Sequence, residues 1–170
     1  EKNIAREKEF YAYVYNALVF LIEKHWSVDD VVVLFDVDYT LVHGDGSSDQ
    51  NNIFRPAFWT LVGSLQLVYP SLRFGILSGR EQESINTLAA ENTTFDQDFV
   101  FSSRSYSRDK ILDPVWYSEN SIDDHIQKVN TYVDISAQHS SIKFFLVDDG
   151  IEEIFTEKWL GVPVPRQLSY

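Results

Sequence analysis

The sequence contains no cysteine and no methionine. Without cysteine there is no disulfide framework and no thiolate chemistry, and redox usage is silent about compartment. Basic residues are scarce: 14 Lys and Arg stand against 26 Asp and Glu, a formal net charge of −12 with a pI near 4.6. A chain so poor in cations is unsuited to nucleic acid, whose phosphates need Lys and Arg, and to an anionic membrane surface. It does not forbid a phosphate ligand, because a metal ion and a few local cations can reverse the field inside one pocket. A long hydrophobic run is also missing. The most apolar stretch of the first helix, Tyr11 to Ile22, is twelve residues, against the ~20 a bilayer requires. No signal peptide is visible, and a start at Glu1 without methionine leaves open a fragment of a longer protein, cytoplasmic or secreted.

What is present is apolar and aromatic material. Hydrophobic residues make up 44% and aromatic residues 15% of 170 positions, enough core for one domain spanning residues 1–170. The most informative stretch is Val31 to Val42, VVVLFDVDYTLV. Five apolar residues, Val31 to Phe35, read as a buried central strand. The strand runs out on Asp36, with Asp38 and Thr40 at intervals of two. A carboxylate at the end of an apolar strand is costly to leave without a partner, and in a parallel α/β sheet the carboxyl ends of the strands open into the ligand crevice.

Two further apolar strands finish in the same way. Leu72 to Leu77 ends in Ser78-Gly79-Arg80, ahead of a helix expected over Glu81 to Glu91. A hydroxyl, a glycine and a helix N-terminus together favour an anion; the alternative reading of Ser78 is an N-cap for that helix. Lys143 to Val147 ends in Asp148-Asp149-Gly150. Asp36, Asp38, Ser78, Asp148 and Asp149 should therefore converge on one edge of the sheet. Four carboxylates sharing a pocket repel one another, and an all-oxygen set suits Mg²⁺.

Around these strands the pattern predicts helices. One covers residues 4–25, with Phe10, Val14, Leu18 and Leu21 as its apolar stripe, widened by Tyr11, Tyr15, Val19 and Ile22. It reads as a helix packed on the sheet, the alternative being a face for a partner or a membrane. His43 to Asn52 is a loop by composition, with His43 either a solvated residue or a substrate contact. Arg55-Pro56 starts a helix whose buried face is Phe58, Leu61, Leu65 and Val68. A short strand is expected at Asp98 to Phe101, a polar, aromatic loop from Ser102 to Tyr117, and a helix that starts at Ser118 or at the second start signal Ser121-x-x-Asp124 and runs to about Ala137. A helical turn or two is expected over Ile151 to Trp159, and a last short strand at Val162 to Val164.

The D-x-D-x-T run Asp36-Val37-Asp38-Tyr39-Thr40, the strand ending on Ser78 and the strand ending on Asp148-Asp149 resemble motifs I, II and IV of the haloacid-dehalogenase-like superfamily of phosphohydrolases. The likeness covers about Val31 to Val164. It implies a three-layer α/β/α Rossmann-like core with a central parallel sheet, here with an extra N-terminal helix. Neither of the two gaps that carry caps in this superfamily is long enough for a large cap domain. The resemblance further implies Asp36 as nucleophile and Asp38 as acid and base. It puts Asp36, Asp148 and the Asp38 carbonyl on Mg²⁺, with Asp149 through water or as an orienting group, and Thr40 ordering the turn. Ser78, Gly79 and Arg80 would hold the phosphoryl group. The S-G-R form is similar to the polynucleotide 3′-phosphatase branch, and the run Asp123 to Lys128 looks like that branch's motif III helix. Lys128 is accordingly the expected cation beside the nucleophile, with Lys110 the rival. Lys143 lies five residues before Asp148, roughly 16 Å away at ~3.3 Å per residue, at the wrong end of its strand.

The activity these resemblances imply is phosphomonoester hydrolysis through an aspartyl-phosphate. Without a cap, the substrate would be a phosphate displayed on a macromolecule. An acidic chain points to a phosphoprotein, with Tyr39, Trp116 and Tyr117 available to stack on a phosphotyrosine ring or simply to fill the core. The superfamily includes bacterial effector tyrosine phosphatases, and a protein of that kind is one expectation. The alternatives are a polynucleotide 3′-phosphatase and a non-catalytic binding domain of the same fold.

Overall fold

Five consecutive apolar residues with two faces to fill make β1 (Val31–Phe35) the centre of the sheet, buried at every position. The computed structural model describes residues 2–42, 53–103, 131, 134–150, 154–155 and 158–165. β1 pairs in parallel with β2 (Arg73–Ser78) on one side and with β4 (Lys143–Asp148) on the other. β3 (Phe95–Ser102) lies outside β2, and β6 (Trp159–Pro163) outside β4, both also parallel. β5 (Ile154–Phe155) closes the far edge antiparallel to β6, giving the order β3-β2-β1-β4-β6-β5.

A parallel sheet must be covered on both faces, and the alternation of side chains sorts the core into two parts. Val31, Val33 and Phe35 join Phe74, Ile76, Phe145 and Val147 on one face. That face is covered by α1 (Lys2–Lys24), α2 (Pro56–Val68) and α3 (Gln82–Ala90), which contribute Phe10, Leu18, Phe58, Leu61 and Ile85. Val32 and Leu34 join Leu77, Phe144, Leu146 and Trp159 on the opposite face, under Ile135 from a helical stretch at 134–138. The Trp159 indole N–H donates to the Ser136 hydroxyl and fastens that stretch to β6. The result is a three-layer α/β, Rossmann-like fold. Among the described residues no element forms a separate cap, and no helix is long and apolar enough to cross a membrane.

The stripe Phe10, Val14, Leu18 and Leu21 is buried as expected, so α1 packs on the sheet. Tyr69, after α2, donates from its hydroxyl to Glu23 at 3.1 Å and ties the ends of the two helices together. Three expectations are corrected. Val68 is half exposed, and Ala57 and Val62 complete the buried face of α2 instead. The short strand at Asp98–Phe101 is the end of an eight-residue strand, β3. The helical turn expected over Ile151–Trp159 is absent where that stretch is described: Ile154–Phe155 is β5, and Trp159 opens β6, which takes the place of a strand at Val162–Val164. Edge pairing with β4 outweighs the helix-like spacing of the apolar residues there. The expectations for His43, Lys110, Trp116, Tyr117 and Lys128 lie outside the described residues.

Candidate active site

The register sets the site. Phe35 is opposite both Ile76 and Val147, so the residue after β1, Asp36, stands level with Asp148, and Ser78 lies one residue further along β2. The Asp36 N–H still bonds the Val147 carbonyl at 2.9 Å, so Asp36 leaves the strand without leaving the sheet. The chain then turns sharply. The N–H groups of Thr40, Leu41 and Val42 all converge on the Val37 carbonyl at 2.9–3.3 Å, and Tyr39 takes φ 62°. A left-handed residue at that point reverses the chain and brings the Thr40 side chain back over Asp36.

Thr40 is fully buried and joins two of the acids. Its hydroxyl lies 3.1 Å from Asp36 Oδ2 and 3.0 Å from Asp149 Oδ1, with one proton to share between them. It also accepts the Asp149 N–H at 3.0 Å. Asp148 Oδ1 accepts the Gly150 N–H at 3.0 Å. Carboxylate oxygens of Asp36, Asp148 and Asp149 all lie within 4.8 Å of one another, the first two residues buried. Oxygens gathered this closely are a group that could hold a hard divalent cation; at Mg–O bonds of ~2.0–2.1 Å, octahedral ligand oxygens stand about 3 to 4.2 Å apart. The donors are all oxygen, as such an ion requires.

Asp38 stands apart from that trio. Its Oδ1 accepts from Arg80 Nε at 3.0 Å and Nη2 at 2.7 Å. The pair spans the mouth between the turn after β1 and the bend at Gly79-Arg80 after β2. Ser78 is buried, and its hydroxyl accepts the Arg80 N–H at 3.1 Å. It does not cap α3, whose N-cap is Glu81 with no side-chain hydrogen bond. The Ser78-Gly79-Arg80 bend leads directly into the N-terminus of α3.

No motif in the sequence marks the residues that brace this bend. Gln82 accepts the Ser102 N–H and donates to the Val100 carbonyl, the Ser102 hydroxyl donates to the Arg80 carbonyl, and Ser103 reaches the Ser78 carbonyl. Two serines at the end of an apolar strand were the available signal. A mostly apolar groove of about 590 Å³ runs between α1 and the start of α2. Its one carboxylate, Glu7, is already engaged by Arg55, so the groove lacks a comparable set of reactive groups. Fold and site thus define a Rossmann-like α/β protein with an acidic, cation-sized cluster at the carboxyl edge of its sheet. No known protein family, curated protein or solved structure matches the chain.

Proposed function

We propose that the protein is a Mg²⁺-dependent phosphomonoester hydrolase working through an aspartyl-phosphate on Asp36. The observation that carries this reading is the convergence of Asp36, Asp148 and Asp149 within 4.8 Å at two adjacent strand ends, beside a serine-headed bend suited to an anion. Asp36, Asp148 and Asp149, with the Asp38 carbonyl, would hold the ion. Bound there, Mg²⁺ supplies positive charge that lets an anionic nucleophile approach an anionic phosphate.

The remaining chemistry belongs to the chain. An Asp36 oxygen bonds phosphorus as the bond from phosphorus to the leaving oxygen breaks, and Asp38 gives that oxygen its proton. Asp38, now ionised, takes a proton from water; the water oxygen attacks phosphorus and frees Asp36 and inorganic phosphate. Ser78, Gly79 and Arg80 hold the phosphoryl oxygens, with Lys128 the cation from outside the described residues. Arg80 is ion-paired with Asp38. An incoming phosphoryl group would draw Arg80 away, and the freed Asp38 carboxylate would take up from solvent the proton it then gives the leaving oxygen.

The substrate we favour is a phosphotyrosine-bearing protein, given the net charge of −12 and the absence of a cap among the described residues. The test is hydrolysis of para-nitrophenyl phosphate with Mg²⁺, with chelator, and by Asp36→Asn. Turnover should require both metal and Asp36. Activity that survives Asp36→Asn, or none with Mg²⁺ present, overturns the reading. A panel of phosphotyrosine peptide, phosphoserine peptide and 3′-phosphorylated oligonucleotide then decides the class. Preference for the oligonucleotide would favour the 3′-phosphatase alternative.

A further inference from the structure

Among the described residues, the largest side chain with no exposed surface is not apolar: it is Arg55, immediately before α2. Burying a guanidinium costs several kcal/mol unless charge and hydrogen bonds compensate. Here its Nε faces the Glu7 carboxylate of α1 at 3.2–3.3 Å. Its Nη1 donates to the Thr40 carbonyl and the Pro165 carbonyl, each at 3.1 Å, and its plane lies 4.1 Å over the Phe10 ring. Its own N–H donates to the Leu41 carbonyl at 2.7 Å. Glu7 also accepts the Ala57 N–H at 3.2 Å. One charged pair thus gathers α1, the first turn of α2, the second residue after β6 and the Asp36–Thr40 turn.

We propose that Glu7 and Arg55 are positioning residues for the acidic site: they fix the backbone at Thr40, and through the Thr40 hydroxyl they set the relative placement of Asp36 and Asp149. The contacts run in series from α1 to the acids. Glu7 orients the guanidinium, the guanidinium holds the Thr40 carbonyl, and the hydroxyl of the same residue bonds both carboxylates. A methionine or leucine would fill the space with less electrostatic cost, but neither can donate to two carbonyls at once. On this account α1 does more than cover the sheet, because one of its residues is part of the support for the site.

This inference rests on the acids being a cation site, and the test separates the two. Mn²⁺ affinity is measured by electron paramagnetic resonance on wild type, Glu7→Gln, Thr40→Val and the double variant, each checked by circular dichroism. Groups that orient ligands without touching the ion typically contribute 10–100-fold in affinity. Glu7→Gln, one step more remote, should weaken Mn²⁺ by about 3–10-fold while the fold is kept. In the Thr40→Val background Glu7→Gln should cost little further, since its route to the acids is already cut. Unchanged affinity in a folded Glu7→Gln protein, or losses that simply add in the double variant, overturns the proposal. If Glu7→Gln does not fold, Glu7→Asp, which keeps the charge and shortens the reach, enters the same cycle. Wild type that binds no Mn²⁺ instead overturns the cation site itself.

Discussion

Tyr39 stands at φ 62°, the one residue other than glycine at positive φ among those described. A side chain there costs about 1–2 kcal/mol, and the position lies between the two residues whose side chains the turn must separate. Asp38 faces Arg80 and Thr40 faces Asp36, so the strain accompanies the geometry of the site. Tyr39→Gly relieves the strain and loses a comparable amount by freeing the unfolded chain. Its stability by denaturant titration should lie within about 1 kcal/mol of wild type. Tyr39→Val, β-branched at positive φ, should cost about 1–3 kcal/mol. Equal losses would mean that the tyrosine ring, and not the backbone, governs the position. At this scale the sequence was partly transparent. Asp36, Ser78 and Asp148 were legible because each ends an apolar strand. The Arg80–Asp38 and Glu7–Arg55 pairs were not, since partners 42 and 48 positions apart leave no local pattern. Arg55 read only as the residue before a helix-starting proline.

The strands differ in how plainly they could be read, and the reasons are physical. β1, β2 and β4 are covered on both faces, so their sequences are continuous apolar runs. β3 lies at an edge; Gln97 and Asp98 are exposed, which hides the first half of the strand behind polar residues. β5 and β6 exist through pairing with β4 and each other, a long-range effect that local spacing cannot signal. Gly75 was a further clue, because glycine inside a strand marks an irregularity or a close approach. A Cβ there would sit 2.2 Å from the Phe99 carbonyl oxygen, where the pairing of β2 with β3 shifts register between Phe74 and Ile76. Gly75→Ala must push the two strands apart and should cost about 2 kcal/mol or more. Gly63→Ala is the control. It lies in α2 with nothing within 4 Å of the added carbon and should stabilise by about 0.5–1 kcal/mol through helix propensity. Both are measured by denaturant titration; a Gly75→Ala protein as stable as wild type would show that β3 yields freely at that point.

For the molecule as a whole, the acidic cluster is a cost that has to be offset by something. Asp36, Asp148 and Asp149 hold carboxylate oxygens within 4.8 Å of one another in a chain already carrying a formal charge of −12. Like charges at that range destabilise the folded state. Two accounts of the cluster differ in sign. If the acids exist for a cation, the metal-free protein carries their repulsion. Asp148→Asn, which keeps an oxygen to accept the Gly150 N–H, should then be as stable as wild type or more stable in chelator. With Mg²⁺ at 100 times its dissociation constant, wild type should gain about 2.7 kcal/mol and Asp148→Asn much less, so the order of stability reverses between the two buffers. If the acids serve only the internal hydrogen bonds, Asp148→Asn should be destabilised by the same amount with and without metal. Thermal melts of both proteins in each buffer read out the crossing, and parallel shifts would remove the cation from the account of this site.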